Sequence, residues 1–257
     1  MHKITVFFAA LVFSFNCFAI IEGEVSAFSN FIWRGTTFTE NKPALQAILD
    51  GQEDHGFFLG TFISNAEFSD EAMGKNSTVT QEIDLSAGKR WQTSNWELQL
   101  SYNYFTFPGA EVFNTDEFNI FLNYKRFILE LSYMNDYFGY QSDYKYIRMG
   151  HEWIYSKNLG ASLFVGYNSF ATPNGGIKTR CLDTGCINKA ETIKGAGNPD
   201  YIDVYLTHRK ILDNQLTLEL AFNWTNRDEI SVEDGVISKA RAKDFAAIIG
   251  LAYPFNL

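Results

Sequence analysis

The chain is 257 residues long with a formal net charge of −9, a balance that disfavours nucleic acid as a partner. Aromatic residues make up 16% of it, more than a soluble core of this size needs. After the first few residues no stretch stays apolar for the ~20 positions that a transmembrane helix requires, so a helical membrane protein is excluded.

Lys3 precedes an apolar run from Val6 to Phe15, and Cys17-Phe18-Ala19 ends it with small residues at both cleavage-specifying positions. Residues 1–19 therefore read as a secretory signal peptide cut after Ala19, leaving residues 20–257 as one exported domain. From there on, hydrophobic and polar residues alternate. Segments 23–33, 44–51, 56–66, 81–91, 95–106 and 117–125 read as strands, followed by 127–136, 144–155, 159–169, 200–209, 215–225 and 243–255. In Gln81–Trp91 the residues Ile83, Leu85, Ala87 and Trp91 share one face, while Glu82, Asp84, Ser86 and Arg90 share the other. Leu216–Trp224 repeats the plan. Strand side chains point alternately to opposite faces, so each segment has one oily and one wet side.

The connections alternate as well. Gly51–Gly56, Gln92–Ser94, Lys125–Phe127, Ser156–Asn158 and Lys210–Asn214 are short. Thr36–Pro43, Glu67–Thr80, Pro108–Asp116, Phe138–Asp143, Ala171–Pro199 and Asn226–Ala242 are mostly longer and richer in loop-forming residues. A β-sandwich has no reason to sort its loops by parity, whereas a membrane barrel with both ends on one side does. Aromatic residues cluster near segment ends, with Tyr102, Tyr104, Phe105 and Phe107 at one end and Trp91, Trp96, Trp153 and Tyr155 at the other, heights expected of interfacial girdles. In the last segment Phe245, Ala247, Ile249, Leu251, Tyr253 and Phe255 share a face, the kind of terminal strand that barrel-assembly machinery recognises. The predicted fold is all-β, a transmembrane antiparallel up-and-down β-barrel of about 12 strands with its oily face toward lipid.

The stretch Ser29-Asn30-Phe31-Ile32-Trp33-Arg34-Gly35-Thr36-Thr37 is followed by Lys42-Pro43-Ala44-Leu45-Gln46, Gly56-Phe57-Phe58-Leu59-Gly60, Ser64-Asn65, and Glu82-Ile83-Asp84 ahead of Gly88. This order resembles the TorF family of porin-type proteobacterial outer-membrane proteins, sharply over residues 22–90 and as strand pattern beyond. Asn30-Phe31 stands where that family has an aspartate-tyrosine pair. The resemblance implies an outer-membrane barrel acting as a channel; it implies no substrate and no catalytic residue.

With the strand phase set by the oily faces, the pore-lining candidates are Asp84, Glu130, Arg148, Glu152, Asp203 and Glu219. Their acidic excess is expected to favour cations in a water-filled lumen. The rival arrangement is mutual pairing that fills the lumen, with Glu130 and Glu152 at similar heights on neighbouring strands and Arg148 above them. Arg34, in a tight turn, is a pore-mouth candidate; the plainer alternative is a loop anchor that bonds carboxylates while Gly35 permits a positive φ. Cys181 and Cys186 are the two cysteines left after cleavage and read as a local disulfide, since an exported chain meets oxidising conditions and metal binding lacks nearby histidine. No cofactor is expected. His55, His151 and His208 lack the adjacent serine pattern of a barrel phospholipase, so no enzymatic activity is expected. The partners expected are outer-membrane lipid, small hydrophilic solutes and, during biogenesis, the assembly machinery. The expected function is passive diffusion of small solutes, weakly preferring cations, with a non-conducting structural or surface-binding barrel as the alternative.

Overall fold

A computed structural model describes residues 20–70, 75–139, 142–170, 200–233, 236–241 and 244–256. Its elements are β1 (Ile20–Phe28), β2 (Ile32–Trp33), β3 (Thr36–Thr37), β4 (Ala44–Gln52), β5 (Phe57–Asp70), β6 (Lys75–Gln92), β7 (Trp96–Thr106) and β8 (Thr115–Tyr124). There follow β9 (Phe127–Met134), β10 (Tyr144–Ser156), β11 (Leu159–Phe170), β12 (Tyr201–Ile211), β13 (Thr217–Thr225), β14 (Asp228–Glu233), β15 (Val236–Arg241) and β16 (Asp244–Asn256). Twelve of these close into an antiparallel barrel in which successive strands pair as neighbours, while β2–β3 and β14–β15 form separate two-stranded hairpins. The seam joins the chain's two ends, with Val25 opposite Tyr253 and Phe28 opposite Gly250.

The alternation sets the sidedness. Val25, Tyr102, Phe118, Met149, Val165, Leu206 and Ile249 are exposed on the outer surface, whereas Ser26, Ser101, Asn119, Ser132, Thr207 and Asn223 are buried within. A soluble barrel has the reverse arrangement. Strands of 8–13 residues, such as β9 and β10, tilted as in known barrels, span a band ~25 Å tall. The short connections are built for tightness. Between Tyr124 and Phe127, which pair, Lys125 and Arg126 both adopt positive φ, 49° and 75°, as a two-residue hairpin turn of the primed type demands.

Four details of the sequence reading change. The first strand, expected over 23–33, ends at Phe28. There the Asn30 side chain accepts hydrogen bonds from Thr37 and Thr39 and donates to Asn41, and this turns the chain off the wall. Segment 67–80, expected as a loop, instead continues β5 and β6 as a paired hairpin on both sides of residues 71–74. Segment 226–242, also expected as a loop, carries the β14–β15 hairpin, whose Ile230, Val232, Val236 and Ile237 favour extended structure. Arg148 lies directly opposite Glu130, and Glu152 lies farther toward the short-turn end rather than level with Glu130. The expected signal peptide, the expected disulfide between Cys181 and Cys186, and the loop 171–199 fall outside the described residues.

Candidate functional site

The barrel interior divides into two parts, and the β2–β3 hairpin makes the division. Ile32 pairs with Thr37 and Trp33 with Thr36, leaving Arg34 and Gly35 as the turn, with φ of 49° and 77°. Gly35 is needed twice over. Its φ suits glycine, and a Cβ there would lie 2.9 Å from the Asp203 Cβ and 3.2 Å from Thr225. The hairpin thus folds into the barrel against the lumenal wall instead of outward.

Around it the half of the barrel nearer the long loops is packed with rings. Phe38, Phe105, Phe107, Phe113, Tyr137, Phe138, Tyr144, Tyr146, Phe170 and Tyr201 are buried in one cluster, with Trp33 packed against it. Trp33 sits 5.5–6.5 Å, ring centre to ring centre, from Phe38, Phe105, Tyr137, Phe138 and Tyr144. Such pairs contribute about 0.5–1.5 kcal/mol each beyond their buried area. Phe138 takes a left-handed conformation, φ 46° and ψ 43°, to put its ring among them. Phe105 and Phe107, placed in an interfacial girdle by the sequence pattern, are therefore lumenal. Tyr102 and Tyr104 are exposed on the outside, as are Trp91, Trp96, Trp153 and Tyr155 near the short turns.

Arg34 carries the charge of the hairpin tip, with a side chain only 6% exposed. Its Nη1 donates to Glu117 Oε2 at 2.5 Å, and its Nη2 donates to Glu130 Oε1 at 3.0 Å and to Ser132 Oγ at 2.7 Å. The guanidinium carbon lies 4.3 Å from the ring centres of both Trp33 and Tyr146. Planar, delocalised and weakly hydrated, a guanidinium is the cation suited to that slot. Arg148 closes the pairing from the other side, with Nη2 2.6 Å from Glu130 Oε2. The hairpin backbone is also held. The Tyr201 hydroxyl donates to the Arg34 carbonyl at 2.8 Å, and Arg227 donates to Thr36 Oγ1 at 2.7 Å. Asp203 lies behind this cluster, accepting from Asn168 at 2.7 Å and from the Tyr146 hydroxyl at 3.3 Å.

The half nearer the short turns is open. A cavity of about 490 Å³ extends from the underside of Trp33 and Arg34, with Asp50, Asp84, Glu97, Glu117 and Glu130 among its lining residues. Phe62, Phe105 and Phe121 form apolar parts of the same wall. A smaller cavity of about 210 Å³ between β10, β11 and β12 is lined by Glu152 and Arg209, and Arg209 reaches Glu219 at 3.3 Å.

All six pore-lining candidates thus point inward, but into different surroundings. Asp84 and Glu130 line the large cavity, Glu152 the small one, Arg148 and Glu130 pair directly, Glu219 pairs with Arg209, and Asp203 is buried at 2% exposure behind the rings. Arg34 lies within the barrel, bonded to carboxylates. His151 packs between Phe127 and Trp153 at 4.5 and 4.8 Å, and His55 bonds to Glu53 in its turn. Among the described residues, no group of three or more His, Cys, Asp or Glu is placed to hold a metal. The lumenal rings were missed from sequence. Their signal was Tyr144 and Tyr146 on the same alternating face as Arg148, where a plain water-filled wall has no use for paired aromatics.

A family model described as a bacterial protein of unknown function (Gcw_chp) matches residues 18–249. No curated protein matches in sequence. One solved structure of similar fold, described under the words "Unveiling the Mechanism Behind the in-meso Crystallization of Membrane Proteins", aligns with a TM-score of 0.51 at 9% identity, covering 93% of this chain and 84% of that one. The NanC porin aligns at 0.48 with 7% identity, covering 90% of this chain and 97% of its own. The COG4313 outer-membrane channel of Pseudomonas putida F1 aligns at 0.45 with 8% identity, covering 93% and 95%. At such identities the likeness is one of fold.

Proposed function

The chain belongs to the Gcw_chp family of bacterial proteins, and we propose that it is an outer-membrane channel through which small hydrophilic solutes diffuse. The observation that carries this reading is the inverted barrel, apolar outside and charged inside, with a 490 Å³ acidic cavity behind its short turns. Only a closed barrel satisfies strand backbone bonds within lipid, and an exposed apolar band of this extent is unstable in water. In this reading the signal peptide is removed on export, the short turns face the periplasm and the long loops face outward. The resemblance of residues 22–90 to TorF porins agrees with it.

Selection follows from the two halves. The ring cluster and the β2–β3 hairpin limit size, and the carboxylates of the vestibule raise the local concentration of cations. Purified protein in planar bilayers tests this directly. It should show discrete conductance steps and a reversal potential of cation sign in a salt gradient, shrinking toward zero when Asp50 and Asp84 are replaced by Asn. Anion selectivity refutes the charge argument.

The packed long-loop half supports a second reading, a non-conducting barrel with a structural or surface-binding role. A chain in which residues 30–41 are replaced by a short Gly-Ser linker separates the two. If the hairpin is what narrows a channel, the shortened protein conducts more than the parent. Silence from both favours the second reading.

A further inference from the structure

Two carboxylates at the vestibule are not neutralised by the hairpin, Asp84 in its lining and Glu82 buried beyond it. Glu82 and Asp84 are two residues apart on the lumenal face of β6, so their Cα atoms are ~6.6 Å apart. Glu82 is 2% exposed, and its Oε2 has no hydrogen-bond partner; Asp84 lines the cavity, and its Oδ1 likewise has none. Three other cavity carboxylates are provided for, while Asp50 lines the wall nearer the short turns. Glu117 is bonded by Arg34, Glu130 by Arg34 and Arg148, and Glu97 lies 3.3 Å from Arg90. None of the ion pairs found among the described residues reaches Glu82 or Asp84. A carboxylate that has lost its water without gaining a donor is strongly disfavoured as an anion, so a positive group from outside the chain would stabilise it.

The wall chemistry narrows what that group is. No cluster of three or more acidic, His or Cys ligands stands there among the described residues, so a multivalent metal lacks its oxygen shell. Next to the carboxylates stand Phe62, opposite Asp84 on β5, and Phe105, opposite it on β7, with Phe121 farther along the cavity. Carboxylates beside ring faces and edges suit a cation that carries hydrocarbon. An ammonium brings three donors to the carboxylate that lines the wall, and its carbon frame covers the rings. The cavity's 490 Å³ accommodates a small molecule of this kind. Arg34 shows the same chemistry from within the chain, a nitrogen cation held between carboxylates and ring faces.

We propose that the vestibule beneath the β2–β3 hairpin is a binding site for aliphatic ammonium compounds, seated with the charge against Asp84, in the field of Glu82 beyond it, and the carbon chain along Phe62 and Phe105. The proposal deepens the channel reading by naming a solute class, and rests on that reading for the ligand's route in and out.

The test is calorimetric titration of the detergent-solubilised full-length protein with 1,4-diaminobutane, 1,4-butanediol and sodium chloride at matched ionic strength. The diamine should bind saturably while the diol and sodium give no saturable heat. Asp84→Asn should weaken diamine binding about tenfold or more, the worth of a lost charge-assisted contact, and Asp213→Asn on a distant short turn should not. Glu82→Gln should also weaken diamine binding, by less than Asp84→Asn, and far-UV circular dichroism establishes that each variant folds. Should Glu82→Gln fail to fold, Asp84→Asn alone decides. Equal binding of diol and diamine, saturation by sodium, or unchanged affinity in Asp84→Asn overturns the proposal. Because binding is read without a bilayer, diamine binding by a protein that never conducts overturns the channel reading and leaves the site standing. Conductance without diamine binding does the reverse.

Discussion

Replacing Arg34 by methionine tests whether the hairpin is held by charge or by packing. Methionine keeps much of the side-chain length and apolar volume but removes the bonds to Glu117, Glu130 and Ser132. Glu130 retains Arg148 at 2.6 Å, so Glu117, 2% exposed, is the carboxylate left without a cation. Breaking a buried pair by deleting one partner typically costs about 3–5 kcal/mol, mostly the stranded charge. The two ring faces at 4.3 Å add about 0.5–2 kcal/mol each to the loss. The barrel wall does not depend on these contacts, so the loss should appear as local opening of the hairpin. Amide hydrogen exchange at Ile32–Thr37 should quicken by a factor of ~100 or more, while amides of β11 and β12 hold their rates. Adding Glu117→Gln to the variant should recover most of the loss, because the orphaned charge is then gone. The two changes should therefore couple by about 2 kcal/mol or more in a double-mutant cycle. Unchanged exchange in Arg34→Met, or strictly additive effects, would refute the electrostatic latch and leave the rings as the sole restraint.

Gly35→Ala should also loosen the hairpin, since φ of 77° is unfavourable for alanine by about 1–2 kcal/mol and its Cβ meets Asp203; hydrogen exchange over the same amides reads it. Leu163→Arg on the outer face should lower folding stability in lipid vesicles by about 2–4 kcal/mol, and Ser162→Arg on the inner face by much less; equal costs would invert the assigned sidedness. Epitope tags in the 107–114 connection should be labelled on intact cells and tags at Asp213-Asn214 should not, and the opposite pattern would reverse the proposed orientation.

The wall was legible because a lipid-facing strand has to repeat apolar residues at every second position, so each stretch such as Gln81–Trp91 carries its own register. The parity of the loops supplied closure. The lumen was less legible, and β1 shows why. Ile32 and Trp33 extend an apolar pattern past Phe28, so alternation alone runs the strand on to residue 33. What stops it is a set of side-chain bonds centred on Asn30, and the pattern of hydrophobicity does not record hydrogen bonds. Aromatic content misled in a related way. Rings near strand ends serve equally well as girdle or as plug, and which they are depends on whether their face is the odd or the even one. For Tyr102 and Tyr104 that parity gives the outside; for Phe105 and Phe107, inside. Phase assigns the charged candidates a face, and neighbouring strands already suggest a network around Glu130 and Arg148, but the partners of Arg34 are not legible, because they depend on a hairpin that reaches across the barrel to strands far away in the chain.

The seam between β1 and β16 constrains the order in which the molecule is made. One edge of β1 pairs with nearby β4 and the other with β16, far along the chain, so that second edge stays unpaired until the distant strand arrives. The hairpin that follows β1 hangs from the long-loop rim and packs against rings from strands on both sides of the barrel. Closure is thus the late, slow event expected of pairing between strands far apart in the chain. Circular permutants that join the present termini and open a short turn such as Asn158 would move the sealing step to another pair of strands.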